Sequence, residues 1–162
     1  YLSLKSMMNM MGLGVSPDDC ALVLRGLETM PLRLRHAEKT AREFARRICE
    51  RISPELVLHP ALAHDPGHDL WQRDFAGASG VFSIVIPDDK ASAVIAAVDR
   101  AETFSIGASW GGTYSLLAPM SVAADRTFAW PGHTSALLRI SIGLEGPDGL
   151  WRDLSRIINA LA

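Results

Sequence analysis

Six residues near the end of the chain, Leu137 to Ile142 (LLRISI), constrain the fold more than any other stretch. Leu138, Ile140 and Ile142 share one face by the two-residue period of a strand, and Leu137, Arg139 and Ser141 share the other. A strand so patterned needs a packed layer against its apolar face, so it belongs inside a covered sheet. A guanidinium in its middle costs several kcal/mol of desolvation unless something anionic meets it. The planar fork of Arg139 fits a carboxylate bidentately, at about 1.5–3 kcal/mol per charge-assisted hydrogen bond. Its partner is either an Asp or Glu of the fold or the carboxylate of a ligand, and at this level both stand.

The other segments supply the sheet and its cover. Val81 to Ile86 (VFSIVI) is apolar on both alternating faces, as a strand buried within a sheet is. Ser16-Pro17-Asp18-Asp19 is a helix start, because Ser caps free amides, Pro suits the first turn and two carboxylates oppose the positive end of the helix dipole. That helix is expected from about Pro17 to Glu28. Pro31 then predicts a kink or a restart with Thr29 as cap, and a second helix to about Arg51. From Leu27, apolar residues at 27, 30, 34, 37, 41, 44 and 48 form one stripe, flanked by Glu38–Arg42 and Glu43–Arg47 pairs, which is the pattern of a surface helix lying on a sheet.

Shorter strands are expected at Leu56 to Leu58, Phe104 to Ala108 and Tyr114 to Leu117, and a helical turn at Pro66 to Asp74. Asp88-Asp89 caps a helix carrying Val94, Ile95, Val98 and Ala101, which completes a β-α-β unit. Gly146-Pro147-Asp148 opens a last amphipathic helix with Leu150, Leu154, Ile157, Ile158 and Leu161. Together these make an α+β sandwich, a mainly antiparallel sheet covered by helices on one side. Residues 1–15 lack an initiator Met and contain a methionine-rich run, so they read either as an irregular segment from the middle of a longer polypeptide or as a frayed terminus, and 16–162 as one domain.

With 162 residues the chain suits a single core. Its 16 basic and 18 acidic residues leave a net charge of −2, which gives no electrostatic case for nucleic acid or an anionic membrane. No apolar run approaches the roughly 20 residues of a membrane span. Cys20 and Cys49 form no CxxC pair, and no signal peptide is visible, so a reducing, cytoplasmic setting is expected. His64 and His68 have ligand spacing, but Pro66 separates them and no cluster completes a zinc site, so both are expected to be solvated and no metal is expected. Gly12-Leu13-Gly14 has no preceding strand and is no phosphate loop. No Gly-x-Ser-x-Gly elbow is present.

Ser109-Trp110-Gly111-Gly112 is the second candidate site. It sets a hydroxyl and a large aromatic at a strand end, before two glycines that let backbone approach a ligand. A tight turn with Trp110 as a packing plug is the competing reading.

These segments, taken in order, resemble the carboxy-terminal domain of the pyridoxal-phosphate (PLP) enzymes of cysteine and methionine metabolism, and within them most closely the cystathionine β-lyases. The resemblance runs from about Ser16 to the end. It rests on Arg25-Gly26-Leu27-Glu28-Thr29 with Arg33-Leu34-Arg35-His36, on His59-Pro60-Ala61-Leu62, and on Gly67-His68 through Arg73-Asp74-Phe75 to Ser79-Gly80. Ser109-Trp110-Gly111-Gly112 with Ser115-Leu116, and Leu138-Arg139-Ile140-Ser141-Ile142-Gly143-Leu144-Glu145, complete it.

The resemblance implies the small domain of a fold-type I PLP enzyme. It implies that Arg139 binds the α-carboxylate of the amino-acid substrate, that Ser109 lies by the catalytic lysine and helps hold it, and that Trp110 lines the substrate side as in β-lyases. The implied reaction is the β-elimination of L-cystathionine to homocysteine, pyruvate and ammonia, in a homotetramer. γ-Synthases and methionine γ-lyases of the same fold, which typically carry an aliphatic residue at the Trp110 position, are the alternative. A free-standing, noncatalytic domain that binds carboxylates or associates with other subunits is a further one. Tyr114 stands where the family usually has Glu, and Ala108 where Tyr is frequent. The family's cofactor domain, with its Schiff-base lysine and phosphate-binding residues, is not represented. Lys5, Lys39 and Lys90 are the only lysines and none has the Ser-x-Thr-Lys setting, so no cofactor-binding residue is assigned here and the chain alone is expected to be inactive.

Overall fold

The computed structural model describes residues 1–121 and 136–161. It divides into two compact units, residues 1–33 and 34–162. The division falls inside a helix rather than at the expected boundary before Ser16.

In the first unit, Leu2–Met10 forms helix α1 where irregular chain was expected. Its residues include Leu, Lys and Met, which lose little rotamer freedom in a helix, and it contains no Gly or Pro to stop it. Helix α2 (Pro17–Cys49) begins in this unit and continues into the second. Its start is as the sequence dictates, since the Ser16 hydroxyl accepts the Asp19 amide at 3.0 Å. The expected restart at Pro31 does not occur, and α2 runs through it. Arg33 reaches back one turn beyond the proline, donating to the Gly26 carbonyl at 3.0 Å and to the Thr29 hydroxyl. The apolar stripe divides along the helix. Leu27, Met30 and Leu34 are exposed, whereas Ala41, Phe44 and Ile48 are buried.

The second unit holds a five-stranded sheet in the order β1-β2-β5-β4-β3. Its strands are β1 (Val57–Leu58), β2 (Val81–Val85), β3 (Ser105–Ile106), β4 (Leu116–Ser121) and β5 (Ala136–Ser141). All pairings are antiparallel except β3 with β4. β3 is therefore parallel to β2 with two strands between them, so the expected β-α-β unit is split across the sheet. LLRISI occupies the middle strand, β5.

The register explains the two faces. Ile140 lies opposite Phe82 and Leu117, and Leu138 opposite Ile84. All five side chains are essentially inaccessible. Against them pack the second half of α2, helix α4 (Ala91–Val98) through Val94 and Val98, and helix α5 (Pro147–Leu161) through Leu150, Leu154, Ile157, Ile158 and Leu161. Each such side chain contributes about 1.5–3 kcal/mol by leaving water. The remaining helix, α3 (His68–Asp74), carries Trp71, whose indole N–H donates to the Gly77 carbonyl at 3.0 Å. Three-residue 3-10 turns precede β1 and α4.

Two buried polar groups shape the connections. Asp153 on α5 is 2% exposed and one of its carboxylate oxygens accepts the amides of Glu102, Thr103 and Phe104 at 2.7–3.2 Å. This anchors the turn that delivers β3. His59, after β1, is 1% exposed; its Nδ1 accepts the Ala61 amide at 3.0 Å, while Nε2 has no partner among the described residues. Burial first, and then the nearby Arg42 guanidinium, hold His59 below the ordinary histidine value of 6.5.

The consequence is a pH-dependent stability. Above about pH 6.5 His59 is neutral in both folded and unfolded chains, so its contribution is complete. As pH falls through that value the unfolded chain takes the proton first, and stability declines until the lower folded value is passed. The thermal midpoint is expected to fall more steeply between about pH 7 and pH 5 in the native chain than in His59→Gln. Equal slopes would contradict it.

His64 is exposed, as expected, and His68 is partly buried; their ring nitrogens meet the carbonyls of Val57 at 3.3 Å and Pro60 at 2.9 Å. No group of three or more potential metal ligands occurs among the described residues, and no described helix is long and apolar enough to cross a membrane.

Candidate functional site

Arg139 sits at the centre of the middle strand, on the face opposite the helical layer. Its cross-strand neighbours are Ser83 on β2 and Ala118 on β4, both small, which leaves the guanidinium room beside the sheet. Among the described residues no carboxylate pairs with it. Nη2 donates to the carbonyl of Ala108 and, at 3.1 Å, to that of Ser109. Nε is buried with no partner among the described residues. Two neutral carbonyls orient the group but carry no charge to match its own, and an unmatched buried N–H costs about 1–3 kcal/mol. An anion arriving at this edge would recover that cost.

The loop that supplies those carbonyls joins β3 to β4 and contains Ser109-Trp110-Gly111-Gly112. Gly111 has a φ of +75°, a left-handed turn that side chains with a Cβ resist. Trp110 is 64% exposed, so it is no packing plug. Its ring centroid lies 5.2 Å from the Arg139 guanidinium carbon, within cation–π range. The three residues singled out in the sequence, Ser109, Trp110 and Arg139, are thus brought together, although 30 positions separate Ser109 from Arg139. An aromatic wall, an oriented guanidinium and an exposed hydroxyl can receive a small carboxylate-bearing molecule.

Sequence reasoning missed the pair that ties this loop down. Ser115 and Glu145 both stand in quoted motifs, yet nothing in their spacing joins them. In the structure Ser115 is fully buried and meets the Glu145 carboxylate twice, through its amide and its hydroxyl, each at 2.7 Å. The Ser115 hydroxyl also accepts the Gly143 amide at 2.7 Å. Serine followed by leucine at a strand start carried no visible signal for this role.

A cavity of about 710 Å³ runs along α2, lined by Arg35, Glu38, Lys39, Arg42, Ala61 and Leu62 among others. None of Ser109, Trp110 and Arg139 lines it.

Residues 2–159 match the profile of the Cys/Met metabolism PLP-dependent enzymes. The chain belongs to that family. Within it, a cystathionine beta-lyase from Bordetella avium is 39% identical over 159 residues, covering 94% of this chain and 38% of its own length. An L-alanine/L-glutamate racemase from Wolbachia pipientis wMel is 36% identical over 152 residues, covering 93% of this chain and 38% of its own. The crystal structure of a cystathionine gamma synthase from Xanthomonas oryzae pv. oryzae, in complex with cystathionine, superposes with a TM-score of 0.74 at 34% identity, covering 94% of this chain and 41% of that one. The chain therefore spans about two fifths of the length of these relatives, and its sheet and helices are those of the small domain of fold-type I PLP enzymes.

Proposed function

We propose that this chain supplies the substrate-carboxylate side of the active site of a carbon–sulfur β-lyase that cleaves L-cystathionine to homocysteine, pyruvate and ammonia. The observation that carries the reading is Arg139, a guanidinium held by two backbone carbonyls on a central strand with no carboxylate partner among the described residues. A substrate α-carboxylate completes it with two parallel hydrogen bonds. In this reading Trp110 walls the carboxylate, 5.2 Å from the guanidinium, and the Ser109 hydroxyl holds an amine of substrate or enzyme.

PLP, when bound, acts as the electron sink for bond cleavage at the α- and β-carbons of an amino acid. The loop and strand that carry Ser109, Trp110 and Arg139 contain no lysine to anchor it, so the contribution of this chain is the carboxylate site alone. The remaining cofactor contacts belong to a separate domain in this reading.

Trp110 and the β-lyase relatives favour β-elimination over the γ-chemistry of the Xanthomonas synthase. Incubation of the protein as encoded, loaded with PLP, with L-cystathionine decides between them: pyruvate and homocysteine support this reading, whereas 2-oxobutyrate and cysteine support γ-elimination. The exposed apolar residues of α1 and the first part of α2, from Leu2 to Leu34, further support self-association. Sedimentation over a concentration range is expected to show oligomers, and a monomer throughout would remove that part of the reading.

A further inference from the structure

We propose that Ser115 and Glu145 form a positioning clamp that sets the substrate loop against Arg139, and that substrate affinity depends on it. The proposal rests on the reading of Arg139 as the carboxylate receptor and adds to it the device that aims that receptor.

The loop from Gly107 to Tyr114 is fixed at its two ends by different means. At the β3 end, ordinary ladder bonds hold it, with the Gly107 amide donating to the Leu117 carbonyl at 3.0 Å. At the β4 end the Ser105 amide donates to the Ser115 carbonyl at 3.1 Å, and side chains add to that ladder bond. Glu145, just past β5, spends one carboxylate oxygen on the Ser115 amide and the other on its hydroxyl. The hydroxyl, its proton committed to Glu145, must receive the Gly143 amide with a lone pair. The Leu144 amide donates to the Thr113 carbonyl at 2.9 Å, one residue nearer the glycines.

The fit around this junction is close. A Cβ on Gly143 would lie 2.4 Å from the Thr113 carbonyl oxygen, so the two chain segments touch backbone to backbone. With both ends set, the carbonyls of Ala108 and Ser109 have defined places, and they are what orients the Arg139 guanidinium. Loosening the clamp leaves Arg139 present and charged but no longer aimed. Carboxylate binding then pays to order the loop that the clamp had already ordered.

Two isosteric changes test this in the PLP-loaded protein as encoded. Glu145→Gln removes the charge and the acceptor of the Ser115 hydroxyl proton, so that hydroxyl can only receive from the new amide, and Ser115→Ala removes the hydroxyl. Each is expected to raise KM for L-cystathionine about five- to tenfold, the scale of one charge-assisted hydrogen bond, with a smaller change in kcat. The double variant is expected to be no worse than the poorer single one, because the residues act as a unit. Amide hydrogen exchange should rise within 107–115 in both variants, with Val81–Val85 and α5 unchanged. Additive effects, or exchange in 107–115 unchanged, would overturn the clamp. Arg139→Lys separates the two ideas. If it raises KM while the clamp variants do not, the clamp fails and the carboxylate reading stands; if Arg139→Lys leaves KM unchanged, the carboxylate reading itself is lost.

Discussion

Replacing Arg139 by lysine in the protein as encoded, loaded with PLP, is expected to lower kcat/KM for L-cystathionine by roughly thirty- to a thousand-fold. An ammonium keeps the charge but not the fork. It can donate to one carboxylate oxygen in good geometry, but it cannot make two parallel bonds while also meeting the carbonyls of Ala108 and Ser109. Loss of one or two charge-assisted bonds corresponds to about 2–4 kcal/mol. The strand itself should tolerate the change, since Ser83 and Ala118 on either side are small and the apolar face of β5 is untouched. Steady-state kinetics beside a thermal melt therefore separates the two effects. Kinetics equal to the native protein's would falsify the assignment of Arg139.

The second large effect concerns the isolated 162-residue chain, which is expected to be catalytically silent. Mixed with equimolar PLP and gel-filtered, it should keep no visible absorption of a lysine-bound cofactor and should release no pyruvate from L-cystathionine. Of its three lysines, Lys5 lies in α1, Lys39 on α2 beside the charged cavity, and Lys90 in the turn before α4. None shares an element with Ser109, Trp110 or Arg139. Retained cofactor with turnover would place the active site elsewhere in this chain. A companion polypeptide carrying the anchoring lysine should restore activity.

The sheet was legible in the sequence because strand alternation records burial directly. Leu138, Ile140 and Ile142 point into the core and Arg139 away from it, as a period of two requires. The cap at Ser16 was legible for a similar reason, being a contact between near neighbours. Pro31 misled because a proline's cost is local while the helix around it is long. The same residue types at Leu27, Met30 and Leu34 continue the stripe of Phe44 and Ile48 without sharing its burial. Periodicity shows which side of a helix is apolar, not how far along it the covering layer extends. At the site, Arg139 announced itself by being charged in an apolar strand, whereas Ser115 and Glu145 are unremarkable until folding joins them.

The placement of β5 also bears on how the protein is made. The strand that bridges β2 to β4 is the last of the five to leave the ribosome. Until it arrives, Val81–Val85, uncharged and apolar on both faces, has only two-residue β1 as a partner on one side and nothing on the other. An open edge of that kind invites pairing with a neighbouring nascent chain. Synthesis that stalls anywhere between Ser121 and Ala136 leaves a sheet divided into two halves, each with a bare edge. The residue that receives substrate is thus carried by the segment whose arrival ends the hazard, so a chain that has acquired its binding strand has also closed its sheet.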